Sequence, residues 1–368
     1  HRDLHSFPTR RSSDLYIKKI VELESSPQSK QKAEVLSIVI PAFNSAKLLS
    51  ICLEALEKQT AQKSCFEVTV ADDGSTDETL QMLQQFKARS ELQLQWTTIP
   101  NSGPGNARNA GVALSSGTWI GFMDADVIPH PDWVKNALTL IQQKPEAGAF
   151  EGRTEVTQLS RATPFTHQTE NIDGGRYPTC NFLVRRNLAH FHPAYLIPFR
   201  EDTDLAFSIL AAGFPIIFAP ELIVEHPPLP SSYLRPLVLA RRYYYDGLLS
   251  RRFPRRYRND LDAHQIIGLK IPHLKKKLYS LFVLSQIVFL GSQLFGLSGK
   301  SLFLAGSAYL LCLLMTAGAS LRFANMRDLS LKDWLVFICQ QHVLPWVMGY
   351  SLFRGWLDFR GEPEYSAS

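Results

Sequence analysis

Asp124 and Asp126 close an apolar run, Trp119-Ile-Gly-Phe-Met-Asp-Ala-Asp126. One residue apart, two carboxylates can share a task, and their oxygens suit a hard divalent cation that keeps several waters and takes other ligands from phosphates. The run has the length and composition of a buried strand. In an α/β domain, ligands bind outside the carboxyl ends of the strands, so a strand ending in acids delivers them to a site. An acidic turn or a helix cap would use the same two residues, and the choice rests on the company they keep.

That company is a series of strand-turn-helix units. Val35-Leu-Ser-Ile-Val-Ile-Pro41 is a β-branched run stopped by proline, followed by a helix to about Lys58 capped by Asn44 or Ser45, with Leu48, Leu49, Cys52, Leu53 and Leu56 on one face. Phe66-Glu-Val-Thr-Val-Ala71 is a second strand, ending in Asp72-Asp73-Gly74-Ser75-Thr76-Asp77. Ser75 and Glu78 have capping-box spacing for the next helix. Leu92 to Ile99 is a third strand, and Asn101 to Gly111 opens another helix. Pro131 fits a first helical turn ahead of Trp133, Val134, Ala137 and Leu138. Beyond Gln143 the signal is less regular, with strands expected over 150–156 and 179–185, a helix opening at Arg200, and a closing strand at Leu222–His226. Repeated units with acids gathering at strand ends predict an α/β domain with a mainly parallel sheet.

The Gly103-Pro-Gly105 turn lacks the third glycine and the downstream acid of a dinucleotide fingerprint, which excludes a nicotinamide-dependent enzyme. The chain has 368 residues, 20% charged and 45% hydrophobic, enough for a sizeable core and a membrane portion together. Five cysteines (Cys52, Cys65, Cys180, Cys312, Cys339) show no metal-ligand spacing and are read as reduced thiols facing the cytosol. His1 to Leu15 matches the in-frame translation of a common sequencing adapter, so residues 1–15 are expected to be foreign to the protein and its true N-terminus undefined. A polar linker or helix, 16–34, follows.

Four segments in order, SIVIPAFN (Ser37–Asn44), VADDGSTD (Val70–Asp77), NSGPGNARNAG (Asn101–Gly111) and FMDADV (Phe122–Val127), resemble the family 2 glycosyltransferases of the GT-A fold. The resemblance implies a catalytic domain over 35–228, with a nucleotide-sugar half (35–127) and an acceptor half (128–228). It further implies a nucleotide-sugar donor, a UDP-sugar first among them, bound by Pro41, Phe43, Asp73 (base), Asp124 (ribose) and Arg108. A divalent metal, Mg2+ or Mn2+, would be held by Asp126 and by His226 after the last strand. Glu201 and Asn181 would lie on the acceptor side, and Asp202 of the Glu-Asp pair would be the base. The residues alone leave other uses open: a solvated helix charge for Arg108, a favourable acidic first turn for Glu201-Asp202, and a single hydrogen bond for His226.

As departure of a nucleoside diphosphate leaves negative charge on phosphate, a metal there makes chemical sense. A saccharide hydroxyl is a poor nucleophile and needs a base, whereas a polyprenyl phosphate is already ionised, so Asp202 favours a saccharide acceptor, free or lipid-linked. Displacement from the face opposite the leaving group inverts the configuration. The alternatives are a polyprenyl-phosphate sugar transferase and a membrane-anchored binding protein with a decayed site. A processive synthase would carry a Gln-x-x-Arg-Trp motif, which the chain lacks.

Past Pro227 the composition changes. Residues 229–277 interleave eight arginines between Arg235 and Arg258 with Tyr233, Tyr243, Tyr244, Tyr245, Phe253 and Tyr257. This pattern suits an anionic membrane surface, at roughly 1 kcal/mol per basic group. Nucleic acid would use similar residues, but apolar runs at Leu278–Leu297 and Ser301–Leu321 argue for lipid and against nucleic acid. Two or three transmembrane helices are expected within 278–353, the third (Trp334–Phe353) being a span, a re-entrant segment or an interfacial helix, ahead of a tail at 354–368. Its tail loosely resembles membrane-bound family 2 enzymes that build exopolysaccharides. Lys275–Lys277 on one flank and Arg322, Arg327 and Lys332 on the other predict a catalytic domain on the cytoplasmic face of the cell (inner) membrane.

Overall fold

Strand β1 (Leu36–Ala42) is buried along its length except at Pro41, as a strand covered on both faces must be. The computed structural model describes residues 36–157, 163–167, 169–229, 231–261, 264–266, 269–321 and 329–366. The expectations for residues 1–34 and for Arg322 and Arg327 fall outside them. The chain divides into two units, one comprising residues 1–157, 169–227 and 366–368, the other 158–168 and 228–365.

In the first unit β1 is followed by α1 (Ala46–Glu57), which buries Leu49, Cys52, Leu53 and Leu56, an i, i+3, i+4, i+7 stripe. Then come β2 (Phe66–Asp72), α2 (Thr79–Arg89), β3 (Leu94–Thr98), α3 (Pro104–Leu114), β4 (Trp119–Met123), β5 (Ile128–Pro129) and α4 (Trp133–Gln143). The rest of the unit adds β6 (Ala149–Glu155), β7 (Asn181–Arg185), α5 (Glu201–Ala211) and β8 (Ile216–Glu225). All eight strands form one sheet in the order β3-β2-β1-β4-β7-β6-β8-β5. The first four run parallel, while β7 is antiparallel to β4 and to β6.

Connectivity determines where a ligand can sit. From β1 the chain moves outward through β2 to β3, then returns to place β4 on the other side of β1. At such a reversal of strand order, ligands bind beyond the carboxyl ends of the strands concerned, here β1 and β4. Asp124 and Asp126 follow β4 at that point. Helix α3 covers this part of the sheet closely: a Cβ on Gly111 would lie 2.5 Å from Val39 Cγ1, so the helix reaches the sheet only because residue 111 has no side chain. Two apolar layers flank the sheet, one around Ile38, Ile40, Leu53, Val68 and Trp133, the other around Val39, Phe122, Phe182, Phe191 and Leu205.

Three local expectations change. Helix α2 begins at Thr79, and the side chain of Asp77, not Ser75, accepts the Thr79 N–H, so the capping box is absent. Helix α4 begins at Trp133, which puts Pro131 outside its first turn. Leu48 is only half-buried on α1.

The second unit is helical. Short helices α6 (Arg235–Arg242), α7 (Asp246–Arg252) and α8 (Pro254–Asn259) precede a hairpin, β9 (His264–Ile266) and β10 (Leu269–Ile271), then α9 (Leu274–Leu294), α10 (Lys300–Leu321) and α11 (Leu331–Asp358). The tyrosines of the basic segment are not all available to lipid. Tyr244 and Tyr245 are buried, Tyr244 donates to Asp358 of α11 at 3.1 Å, and a Cβ on Gly355 would lie 1.8 Å from the Tyr244 carbonyl oxygen. Two described helices, Leu274–Leu294 and Lys300–Gly318, are long and apolar enough to cross a membrane. Helix α11 is continuous through Pro345 and starts at a capping box between Ser330 and Asp333, so the re-entrant alternative for residues 334–353 does not hold.

Candidate active site

The loops after β1 and β2 are tied together before they present anything to a ligand. Asn44, with a left-handed φ of 47°, accepts from the backbone of Thr76 and Asp77 through its side-chain oxygen and donates its own N–H to Ser75 Oγ. Phe43 projects beside this brace and is 48% exposed, while Pro41 is half-buried within β1. Asp73 is buried. Its Oδ1 accepts the Ser102 N–H at 2.6 Å and its Oδ2 the Gly103 N–H at 2.9 Å. The carboxylate expected to meet a base also holds the turn that starts α3.

Arg108 departs furthest from the solvated alternative. It faces the sheet from α3 and is 3% exposed; its Nη2 pairs with Asp124 Oδ1 at 2.5 Å and its Nη1 lies 3.8 Å from Glu201 Oε1. The guanidinium carbon sits 5.4 Å from the centre of the Phe191 ring. A buried guanidinium is tolerated because two carboxylates and a ring face replace the lost water. Burial alone would ease its proton off, but Asp124 and Glu201 outweigh burial and hold the charge.

Asp126 and His226, the residues expected to hold a metal, lie side by side. His226 Nε2 lies 3.7 Å from Asp126 Oδ2, and the histidine is 1% exposed. Its Nδ1 lies 3.2 Å from the Pro227 carbonyl oxygen, a contact that fixes the ring and leaves Nε2 directed at the carboxylate. Bonds of about 2.1 Å from one cation to each atom span such a separation, so this donor pair fits a hard divalent ion. Burial, with Asp124 close by, raises the Asp126 carboxyl above its ordinary value, opposed by His226 and Arg108.

Glu201 and Asp202 form the first turn of α5, whose N-cap Arg200 is left-handed at φ 72°. Glu201 is 5% exposed, and burial next to Asp202 pushes its carboxyl up to about 8 despite Arg108. Asp202 is half-buried and accepts the Thr203 N–H at 2.7 Å. Burial raises it too, against the pull of that N–H, Arg108 and Arg200. An acidic first turn would be stabilised by the helix dipole wherever it lay; here it also shares Arg108 with the acid that ends β4.

Asn181 is different. It is fully buried, its amide donates to the carbonyls of Arg153 and Leu222 at 2.9 and 2.8 Å, and its oxygen accepts from Trp133 Nε1 at 2.8 Å. Those bonds fasten α4, β6 and β8 together around β7. Residues that sequence reading missed do comparable work. Asn109 clamps the backbone of Phe191 through two bonds at 2.8 and 2.9 Å, setting the ring under Arg108. Buried Glu151 accepts N–H bonds from Gly175 (2.7 Å), Arg176 (2.8 Å) and Tyr177, shaping the loop before β7. The paired asparagines of Asn106-Ala-Arg-Asn109 were the available signal for the first; nothing in the pattern around Glu151 marked the second.

The mixed α/β sheet with acids at its switch point is a GT-A fold. Residues 37–203 match the family described as Glycosyl transferase family 2. A relative, Glycosyltransferase AglE of Haloferax volcanii, is 30% identical over 207 residues, covering 53% of this chain and 67% of that protein. The PGL/p-HBAD biosynthesis glycosyltransferase of Mycobacterium tuberculosis is 33% identical over 158 residues, covering 43% of this chain and 57% of that protein. Among solved structures, the mannosyltransferase PcManGT of Pyrobaculum calidifontis, in complex with GDP-Man and Mn2+, aligns over 94% of both chains with a TM-score of 0.50 at 17% identity, a likeness of fold alone. The chain belongs to glycosyl transferase family 2.

Proposed function

We propose that this protein is an inverting glycosyltransferase that moves a sugar from a nucleotide-diphosphate donor to a saccharide hydroxyl, on a lipid-linked or polysaccharide acceptor at the cytoplasmic face of the cell membrane. The observation that carries the reading is the convergence of acids from separate segments: Asp124 and Asp126 after β4, Glu201 and Asp202 at the start of α5, joined through Arg108 and faced by His226. A divalent ion held by Asp126 and His226 would neutralise charge developing on the departing diphosphate. Phe43 offers an exposed ring beside the donor crevice, and Asp124 an acceptor for ribose hydroxyls. Asp202 takes the proton of the attacking hydroxyl, and its elevated carboxyl makes it a better base than an exposed aspartate.

The membrane assignment rests on α9 and α10. Leu284, Ile287, Val288, Leu290, Phe303, Leu304, Leu311 and Leu314 are each more than half exposed, which lipid would cover. Lys275–Lys277 at the start of α9 and Lys332 at the start of α11 are basic flanks suited to the cytoplasmic side.

Thermal unfolding with UDP or GDP, each with Mg2+ or Mn2+, tests the donor half: a ligand at a hundred times its Kd stabilises the fold by about 2.7 kcal/mol. Stabilisation by one nucleoside diphosphate, removed by chelator, is expected. No stabilisation by either would sink the reading. Asp202→Asn then separates acceptors: transfer to lipid phosphate that survives the substitution would reassign the protein as a polyprenyl-phosphate sugar transferase, whose acceptor needs no base.

A further inference from the structure

We propose that Arg108 is a positioning residue for this site: a single buried guanidinium, shared by Asp124 of the donor half and Glu201 of the acceptor half, holds the acidic turn Glu201-Asp202 in register with the end of β4. The consequence for Asp202 rests on the function proposed above; the brace itself does not.

The geometry is specific. Arg108 comes from α3, Asp124 from the turn after β4 and Glu201 from α5, so three elements distant in sequence meet at one cation. The pairing is uneven, tight to Asp124 at 2.5 Å and loose to Glu201 at 3.8 Å. Nε and Nη1 of Arg108 and Oε2 of Glu201 are buried without hydrogen-bond partners, so charge, more than directed hydrogen bonding, links α3 to α5. The guanidinium cannot slide away, since Phe191 lies against it and Asn109 fixes Phe191 from the next residue of the same helix. Asp202 is one residue from Glu201 and feels the same cation. The charged groups acting on Glu201 are Asp202 on its own turn and Arg108 from α3, while Asp202 in turn feels Arg108, Arg200 and Asp124.

Were Arg108 only a packing residue, replacing it would cost the same stability at every pH. Were it the counter-charge of a buried carboxyl, the cost would depend on whether that carboxyl is ionised. Glu201 is raised in the fold from an ordinary 4.5 to about 8, so in the wild type it contributes a stability loss that develops as pH climbs from 4.5 and levels off past 8. Without Arg108 the folded value moves higher and the loss continues to higher pH.

The test is the thermal midpoint of the full chain in detergent from pH 5 to pH 9, with no ligand added. The deficit of Arg108→Gln relative to wild type is expected to widen by several degrees between pH 6 and 9, and Glu201→Gln in the same background to remove that widening. Arg108→Lys, which keeps the charge and loses the fork, should run nearly parallel to wild type. A constant Arg108→Gln deficit across the range overturns the proposal. If Arg108→Gln does not fold, Glu201→Gln alone decides: its midpoint must gain on wild type as pH rises, and parallel curves overturn the proposal. A second arm follows nucleoside diphosphate release from UDP-glucose, UDP-GlcNAc and GDP-mannose with Mn2+. There Arg108→Lys should lower kcat about tenfold with donor KM within threefold, and an effect confined to KM would also overturn it. Absence of turnover with all three donors in the wild type would count against the function while leaving the ligand-free result standing.

Discussion

The two halves of the sheet, β1–β4 and β6–β8, hold the acids near the site by different means. In the first half, Asp73 and Asp124 sit just past the ends of parallel strands paired residue by residue, and the sheet carries their backbone to the site. In the second half, strand order mixes directions and the β6 pairing to β8 shifts register between Gly152 and Arg153. Placement there falls to individual side chains, Asn181 across three elements, Glu151 inside a loop and Arg108 reaching over from α3. A regular sheet supports a site whose details can vary little; a bracketed site can be reshaped one bracket at a time.

The largest effects should separate the halves outright. Asp126→Asn is expected to lower transfer on the order of 10³-fold and to abolish the chelator-sensitive stabilisation by nucleoside diphosphate, because it removes a charge the cation needs. Asp202→Asn should lower transfer roughly 10²–10⁴-fold yet leave that stabilisation intact, since a general base contributes only to the chemical step. If both variants lose nucleotide binding, the division into halves is wrong.

A pH profile sharpens the same contrast. The base must be ionised to act, and burial raises the Asp202 carboxyl above its ordinary value. Transfer by wild type should therefore decline as pH falls through that raised value, starting at a higher pH than an exposed aspartate would give. Initial rates between pH 4.5 and 8 at saturating donor measure it. A rate flat down to pH 4.5 would remove Asp202 from the role.

The same difference explains what was legible. Strands β1, β2 and β4 announce themselves as apolar runs closed by Pro41, Asp72-Asp73 and Asp124, because burial on both faces leaves no choice of residue type. The acids at their ends follow from topology, and the motifs single out Asp126, His226, Glu201 and Asp202, of which the structure sets His226 beside Asp126 and Glu201 beside Arg108. Arg108 was legible as a residue but not as a buried one, since no local pattern reports that Phe191, 83 positions later, will lie against it. Asn181 sat inside a recognisable strand, yet its three bonds to Trp133, Arg153 and Leu222 are tertiary and outside any local window. The second unit was read from composition, which located the apolar helices but credited to lipid tyrosines that pack on α11.

Intermediate effects probe the brackets. Asn181→Ala would leave the Trp133 N–H and two carbonyls without partners inside the core, at about 1–3 kcal/mol for each buried group left unsatisfied. Denaturant midpoints should fall accordingly. Glu151→Gln keeps the shape but loses the charge that strengthens its backbone bonds, and should cost about 1–3 kcal/mol at most. Its more telling readout is acceptor KM, which should rise while donor KM holds. A change in donor KM alone would show that the loop at 171–177 belongs to the other half.

The smallest effect belongs to Phe43. The ring is 48% exposed, so Phe43→Ala removes little buried surface and should alter stability by no more than about 0.5 kcal/mol. Stacked against a base, the same ring would contribute about 0.5–1.5 kcal/mol, the usual range for aromatic pairs. Nucleoside diphosphate affinity should then drop by roughly two- to tenfold, in every metal tested and with transfer at saturating donor unchanged. Calorimetric titration of UDP and GDP into both proteins resolves a change of that size. Equal affinities would mean that the end of β1 supplies only backbone to the donor crevice, and that recognition of the base must come from the loops after β2 and β3.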